Sequence, residues 1–435
     1  MKLNLTNRVQ TLVLAYLLVA GLCGCAEDRT YQFEQKTSGA RWIESEVLEW
    51  YLWADTLPEM GWKDYFSKGD AFLKKLTAKI NKSDKWTYCA VDTTEADYHE
   101  RGTYNHLDSY GLDVALMQDP TGATSRQYAR VKTVYAGSPA ERCGIERNDF
   151  IEYVDGTRVS SSNLNRLSKG GKRTLVVLKF AYDLEQQTYY WERVDTVAME
   201  ASEYVEDEAF ALDYVYDVYG RNVGYLMCNR LVSGAHERNG GDDYKVALDN
   251  VMEMFRGVGL SALIVDLRLC NYGDMEMARR LASYIVGKGH EGKTMLKTLW
   301  KESKSSMNED ITIDNAVAEK GLDMKQVYFI TGDYTCGAAE WLVNAVSGLL
   351  GDENVFVVGK KTGGQNVMTH ATSSEAHSLT LHLASAYVAD ASGNYDYSGG
   401  ILPDLEIDEY AYADLYPYGD LREIVLSEVI NSLGY

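Results

Sequence analysis

The sequence predicts a multidomain α/β protein, and three observations carry that expectation. Residues 327–358 read as strand, turn, helix and strand. Val327–Thr331 is a β-branched and aromatic run, and 332–337 supplies turn residues. Ala338–Leu350 then has apolar residues at helical spacing, Gly351 can stop that helix, and 355–358 is a second apolar strand. Such a unit implies a crossover between parallel strands. The second observation is the near-continuous apolar run over 262–268, which ends in the charged pair Asp266 and Arg268 and suits a buried strand. The third is length, because 435 residues leave room for two or three domains.

The N-terminus reads as a processing segment and not as part of the fold. Lys2 and Arg8 give a positive start, and residues 12–24 are largely apolar but shorter than the ~20 residues that span a bilayer. The run ends in Leu22-Cys23-Gly24-Cys25, which resembles a bacterial lipobox with Cys25 as the lipidated first residue. The alternatives are an ordinary signal peptide or a short buried helix. Glu27 and Asp28 resemble the surface-export signal of Bacteroidetes lipoproteins. The expectation is therefore a signal peptide over 1–24, a polar tether over 25–40, and an outer-membrane lipoprotein of the cell envelope, periplasmic or surface-exposed.

Removing 1–24 takes away two positive charges and moves the net charge from −21 to −23. That excludes nucleic acid as an expected partner and also a polybasic membrane patch, leaving the lipid on Cys25 as the expected membrane attachment. Five of the seven cysteines (89, 143, 228, 270 and 336) lie beyond the signal, widely separated and without C-x-x-C spacing. Neither a zinc site nor an extensive disulfide framework is expected. The seven histidines form no H-x-x-x-H or H-E-x-x-H pattern, so no metal is expected. No phosphate-binding loop appears, and no cofactor is expected.

Residues 41–106 read as a helical N-terminal domain. Its Trp50-Tyr51-Leu52-Trp53 run suits a packed core better than a ligand groove. Residues 243–255 and 275–286 read as helices, 379–389 as a strand broken near Ser385, and 421–433 as a closing helix.

Residues 107–180 resemble a PDZ domain. The resemblance rests on Tyr110-Gly111-Leu112-Asp113-Val114, on Gly137-Ser138-Pro139-Ala140, and on Asn148-Asp149-Phe150-Ile151 followed by Val154-Asp155-Gly156. It implies a peptide or protein ligand added as a strand, with the 110–114 loop receiving a terminal carboxylate. Asp113 stands where a second glycine is usual. Either it faces the loop and repels a peptide C-terminus, or it points to solvent. The expected domain with its connection covers 107–203.

Residues 204–435 resemble the C-terminal processing (tail-specific) serine peptidases, a crotonase/ClpP-like α/β fold. Val223-Gly224-Tyr225-Leu226 matches the opening strand, residues 262–268 the L-I-x-D-L-R strand, and 397–404 the Y-x-G-x-I-x-P-D segment. The W-Y-L-W run resembles the small domain that precedes the peptidase in Bacteroidetes members.

The resemblance implies a nucleophilic serine in S-A-S-E and a lysine base in G-x-x-T-x-G-K. Here the first block reads Cys336-Gly337-Ala338-Ala339-Glu340 and the second runs from Gly359 to Gln365. The nucleophile position is Gly337, without a side chain, and the base position is Gln365, which takes no proton near neutral pH. The N-x-G-G oxyanion turn reads Cys270-Asn271-Tyr272-Gly273, and glycine-only torsions would be strained at Tyr272. Cys336 is either a substitute nucleophile at a helix N-terminus or a small buried residue, and the second reading is preferred because Gln365 offers no base. Lys360 and Lys361 read as surface charge. The function expected is a pseudopeptidase binding peptides or partner proteins. The alternatives are a peptidase using Cys336 or another group, or an assembly subunit of a surface uptake system.

Overall fold

The computed structural model describes residues 30–80, 84–91, 108–122, 124–183, 185–234 and 241–433. Cys25, the signal segment and the first tether residues lie outside them. The chain divides into two compact units, one of residues 1–92 with 370–383 and one of 93–369 with 384–435.

In the first unit, residues 30–40 correct the expected tether, because they belong to the helix Thr30–Trp50. Its buried stripe is Thr37, Ala40, Ile43 and Val47, spaced by three and four. The first half of that stripe is a threonine, whose hydroxyl donates to the Phe33 carbonyl (2.8 Å), and an alanine, so the segment reads as polar. Gly69–Leu76 contributes Phe72, Leu73 and Leu76 to the core. Tyr51 is fully buried and donates to Asp84 at 2.8 Å, and Trp50 stacks on His370. The aromatic run is thus used in packing. The unit is not wholly helical, since Tyr88–Val91 pairs antiparallel with residues 379–382. A pairing nearly 300 residues away in sequence is invisible to local periodicity.

In the second unit, a six-stranded sheet has the order Leu405–Glu406, Val355–Gly359, Val327–Thr331, Ala262–Asp266, Arg221–Cys228 and Phe210–Val218. All neighbours are parallel except the last pair. The helices Asp243–Val258, Met275–Val286 and Ala338–Leu350 pack in one apolar cluster, and Ile424–Ser432 packs in another with Tyr225, Ile264 and Tyr328. Sheet interiors buried on both sides explain the near-continuous apolar strands. The strand Leu379–Asp390 runs through fully buried Ser385, so the expected break there is absent.

The same unit holds an antiparallel sheet in the order Leu112–Gln118, Gln127–Val134, Phe150–Val154, Arg173–Asp183 and Thr188–Met199. Ser138 caps the short helix Pro139–Arg142 by accepting from the Glu141 N–H, as the Ser-Pro sequence requires. Leu112–Gln118 is an edge strand of this sheet.

Candidate active site

Gly337 sits between the sheet and the helix Ala338–Leu350 at φ 60°, ψ −120°. Those are the torsions of the first central residue of a type II′ turn, which glycine adopts without strain. A Cβ added there would lie 3.1 Å from Gln365 Oε1. The fold therefore brings together the two positions at which the resemblance places nucleophile and base.

Glu340 holds the two loops together. It is fully buried, three residues into the helix, and its carboxylate accepts from the N–H groups of Gly337 (3.1 Å), Gly364 (2.7 Å) and Gln365 (2.6 Å). The Thr362 hydroxyl is a fourth donor. Burial pushes the Glu340 carboxyl above the ordinary range, with these donors opposing the shift. Trp341 Nε1 adds a bond to the Gln365 carbonyl at 3.0 Å. Sequence reasoning used Glu340 only to count positions. The signal it missed was an acid three residues after a glycine N-cap, the spacing of a capping box.

The remaining candidates are placed as follows. Cys336 is buried, and its thiol donates to the Asn271 carbonyl at 3.2 Å. Lys360 pairs with Asp333 at 2.6 Å. Burial lowers its pKa, but that pairing outweighs it and holds the ammonium above its ordinary value, the opposite of what a general base needs. Lys361 is exposed.

Tyr272 corrects an expectation, because it does not have a positive φ and carries no glycine-type strain. Its ring packs with Ala209, Val232 and Tyr244. Gly273 is constrained instead by closeness, since a Cβ there would lie 2.7 Å from Leu231 Cβ and 2.8 Å from Ala338 Cβ. The oxyanion-type loop thus abuts the start of the helix after Gly337. Among the described residues no three-residue metal cluster of His, Cys, Asp or Glu occurs, and Cys89, Cys143, Cys228, Cys270 and Cys336 form no disulfide.

In the 110–114 loop, Asp113 neither faces a ligand carboxylate nor points to solvent. It pairs with Lys132 at 3.0 Å, both side chains being about a tenth exposed, and Lys132 also donates to Tyr334 OH at 3.1 Å. Two of the loop amides are committed internally. Tyr110 N–H donates to the Ser168 carbonyl (3.1 Å) and Gly111 N–H to Ser109 Oγ (2.9 Å). Gly111 has φ +73°, and a Cβ on it would lie 2.1 Å from Ser138 Cβ, so only glycine fits. Leu112 and Val114 lie on the edge strand, with Leu112 buried and Val114 against the domain core.

A polar clasp joins this domain to the parallel sheet. Arg147 meets Glu409 at 2.7 Å, and Glu409 meets Arg268 at 2.6 Å. Arg268 also pairs with Asp266 (2.6 Å) and Glu423 (2.9 Å). Arg130 donates to the carbonyls of Tyr412 (2.9 Å) and Ala413 (2.7 Å). Burial alone would raise the Glu409 carboxyl, but the guanidinium groups of Arg268 and Arg147 outweigh it and hold it well below its ordinary value. Nothing local in the sequence marked Glu409 or Arg147.

A parallel sheet whose strand-to-helix turn faces a second loop, beside a PDZ-type sheet, defines a multidomain α/β protein with a PDZ domain and a peptidase-type domain. Residues 222–407 match the family model "Peptidase family S41", and residues 130–180 match "PDZ domain". The part of the chain over 222–407 is thus an S41 peptidase domain, and a PDZ domain precedes it. It is 25% identical over 348 residues to a "Probable CtpA-like serine protease" of Staphylococcus aureus (strain bovine RF122 / ET3-1), covering 78% of this chain and 63% of that one. It is 25% identical over 315 residues to the carboxy-terminal processing protease CtpA of Bacillus subtilis (strain 168), covering 69% and 59%. The chain thus spans less than two thirds of the length of these relatives. A candidate S41 protease from Bacteroides fragilis NCTC 9343 superposes with TM-score 0.79 and 25% identity, over 90% of this chain and 96% of that one. A photosystem II D1 C-terminal processing protease shares the fold at TM-score 0.51 and 16% identity, over 91% and 97%.

Proposed function

We propose that the chain is a non-cleaving member of its family, an envelope lipoprotein that binds peptides or partner proteins. The observation that carries this reading is the pairing of Gly337 with Gln365 across the turn. The frame holds two positions within contact distance, and neither residue supplies a hydroxyl or a base. The edge strand Leu112–Gln118 supports binding by strand addition. The lipobox-like Cys25 and the acidic residues after it support an outer-membrane anchor.

The test is proteolysis of an unfolded substrate by the natural chain, by Cys336→Ala and by the pair Gly337→Ser with Gln365→Lys. The natural chain should give no cleavage above background. The paired variant should gain cleavage, because the lysine removes the carboxamide that a serine Cβ would meet and puts an amine beside the new hydroxyl. The expected rate is modest, since strained torsions at residue 337 cost ~1–3 kcal/mol. Cleavage by the natural chain that disappears in Cys336→Ala would establish a cysteine peptidase instead. The bond from the Cys336 thiol to the Asn271 carbonyl does not favour that second reading.

A further inference from the structure

Between the PDZ sheet and the parallel sheet lies a cleft of about 1080 Å³, whose lining includes neither Gly337 nor any residue of the edge strand Leu112–Gln118. Its acidic lining residues are Glu141, Glu146, Asp149, Glu206, Glu208 and Asp414. Its two basic residues are already engaged, Lys179 with Glu146 (2.6 Å) and Asp149 (3.1 Å), and Arg147 with Glu409. Glu206 is partly neutralised by Arg230 at 3.0 Å. Glu208 is exposed and enters no ion pair among the described residues. Tyr182 and Tyr214 also line the cleft and are 41% and 42% exposed, offering ring faces to a cation.

An independent feature points the same way. Asn229 lines the cleft, is only 5% exposed, and donates its carboxamide nitrogen to Asp207 at 2.6 Å. That bond fixes the amide orientation and leaves Oδ1 as a buried acceptor with no partner. A buried acceptor without a donor costs ~1–3 kcal/mol, so it marks a place where a donor belongs. Acceptors, negative charge and aromatic faces together call for a ligand that brings N–H donors and positive charge on an extended stem.

We propose that this cleft is a second peptide site, which takes a lysine- or arginine-bearing segment of a bound polypeptide. The assignment rests on the reading of the chain as a peptide-binding protein. It adds a preference for basic segments that neither the dyad frame nor the PDZ edge provides.

The experiment uses the full chain and a blocked, fluorescent lysine-rich peptide, with a glutamine-for-lysine twin as reference. Fluorescence anisotropy should show the lysine peptide binding roughly tenfold more tightly than its twin. Glu208→Lys, at an exposed position, should abolish most of that preference, and Asn229→Ala should weaken it. Glu319→Lys makes the same charge change at an exposed position outside the cleft lining and should leave the preference in place. Equal binding of the two peptides would overturn the assignment. So would equal losses in Glu208→Lys and Glu319→Lys, which would reduce the effect to the overall negative charge. Mass spectrometry of the same mixtures tests the non-cleaving reading separately. Cleaved peptide would overturn that reading, while a selective Glu208→Lys effect would still support the cleft.

Discussion

Glu340→Ala should destabilise the parallel-sheet domain by about 3–5 kcal/mol, because it leaves several buried donors without an acceptor. Four donors converge on this carboxylate: three backbone N–H groups and the Thr362 hydroxyl. The Glu340 carboxylate itself is fully buried, and each buried donor left unsatisfied costs ~1–3 kcal/mol. Partial relaxation keeps the total below the simple sum. At ~2–4 °C per kcal/mol for a domain of this size, the midpoint of thermal unfolding should fall by roughly 10 °C. Glu340→Gln tests the cause. It keeps an acceptor but turns an NH2 group toward donors, so its loss should be smaller than that of alanine yet clearly measurable. A change of less than about 1 kcal/mol in Glu340→Ala would mean that the turn and the 359–365 loop hold together without the clamp.

Glu409→Ala should cost about 3–5 kcal/mol as well, through a different mechanism. Its carboxylate lies between Arg147 of the PDZ sheet domain and Arg268 of the parallel sheet. Arg268 keeps Asp266 and Glu423 when Glu409 is removed, so the loss falls mainly on Arg147. Arg147 would retain only the Tyr416 and Lys132 carbonyls and the face of Tyr418. Hydrogen exchange should accordingly quicken across residues 130–149, while the strands near Gly337 stay protected. Arg147→Met in the same chain should recover part of the loss, because it removes the charge left without a partner. Additive losses in the two single variants and the double would exclude coupling between these residues.

The same clasp sets a pH dependence. The folded Glu409 carboxyl is depressed below its ordinary value of 4.5. The folded state therefore binds this proton less readily than the unfolded chain. Its stabilisation is complete above that value and is lost as pH falls through the depressed folded value. Acid should loosen the natural chain, and Glu409→Ala should flatten that part of the stability profile.

Much of the fold was legible in the sequence because its signals are local. Buried parallel strands read as apolar runs and packed helices as apolar residues three and four apart, so the strand Val327–Thr331 and the helices Met275–Val286 and Ala338–Leu350 have the bounds expected from the sequence. The tether over 30–40 was misread because Thr37 and Ala40 form a buried stripe without a hydrophobic signature. The site divided in the same way. That residue 337 is glycine and residue 365 glutamine is read directly from the sequence, and the resemblance implies that they stand at the nucleophile and base positions.

By itself the sequence determined the α/β class, the order of the domains and the identities of the residues at 337 and 365. Each depends on residue type and spacing along the chain. Tertiary structure alone decided that a side chain at 337 would meet Gln365, that Asp113 is spent on Lys132, and that Glu340 and Glu409 each gather distant partners. Those facts depend on which side chains share a buried volume. Where water is excluded, a lone charge or donor costs several kcal/mol, so its partner is chosen by proximity in space and leaves no trace in local pattern.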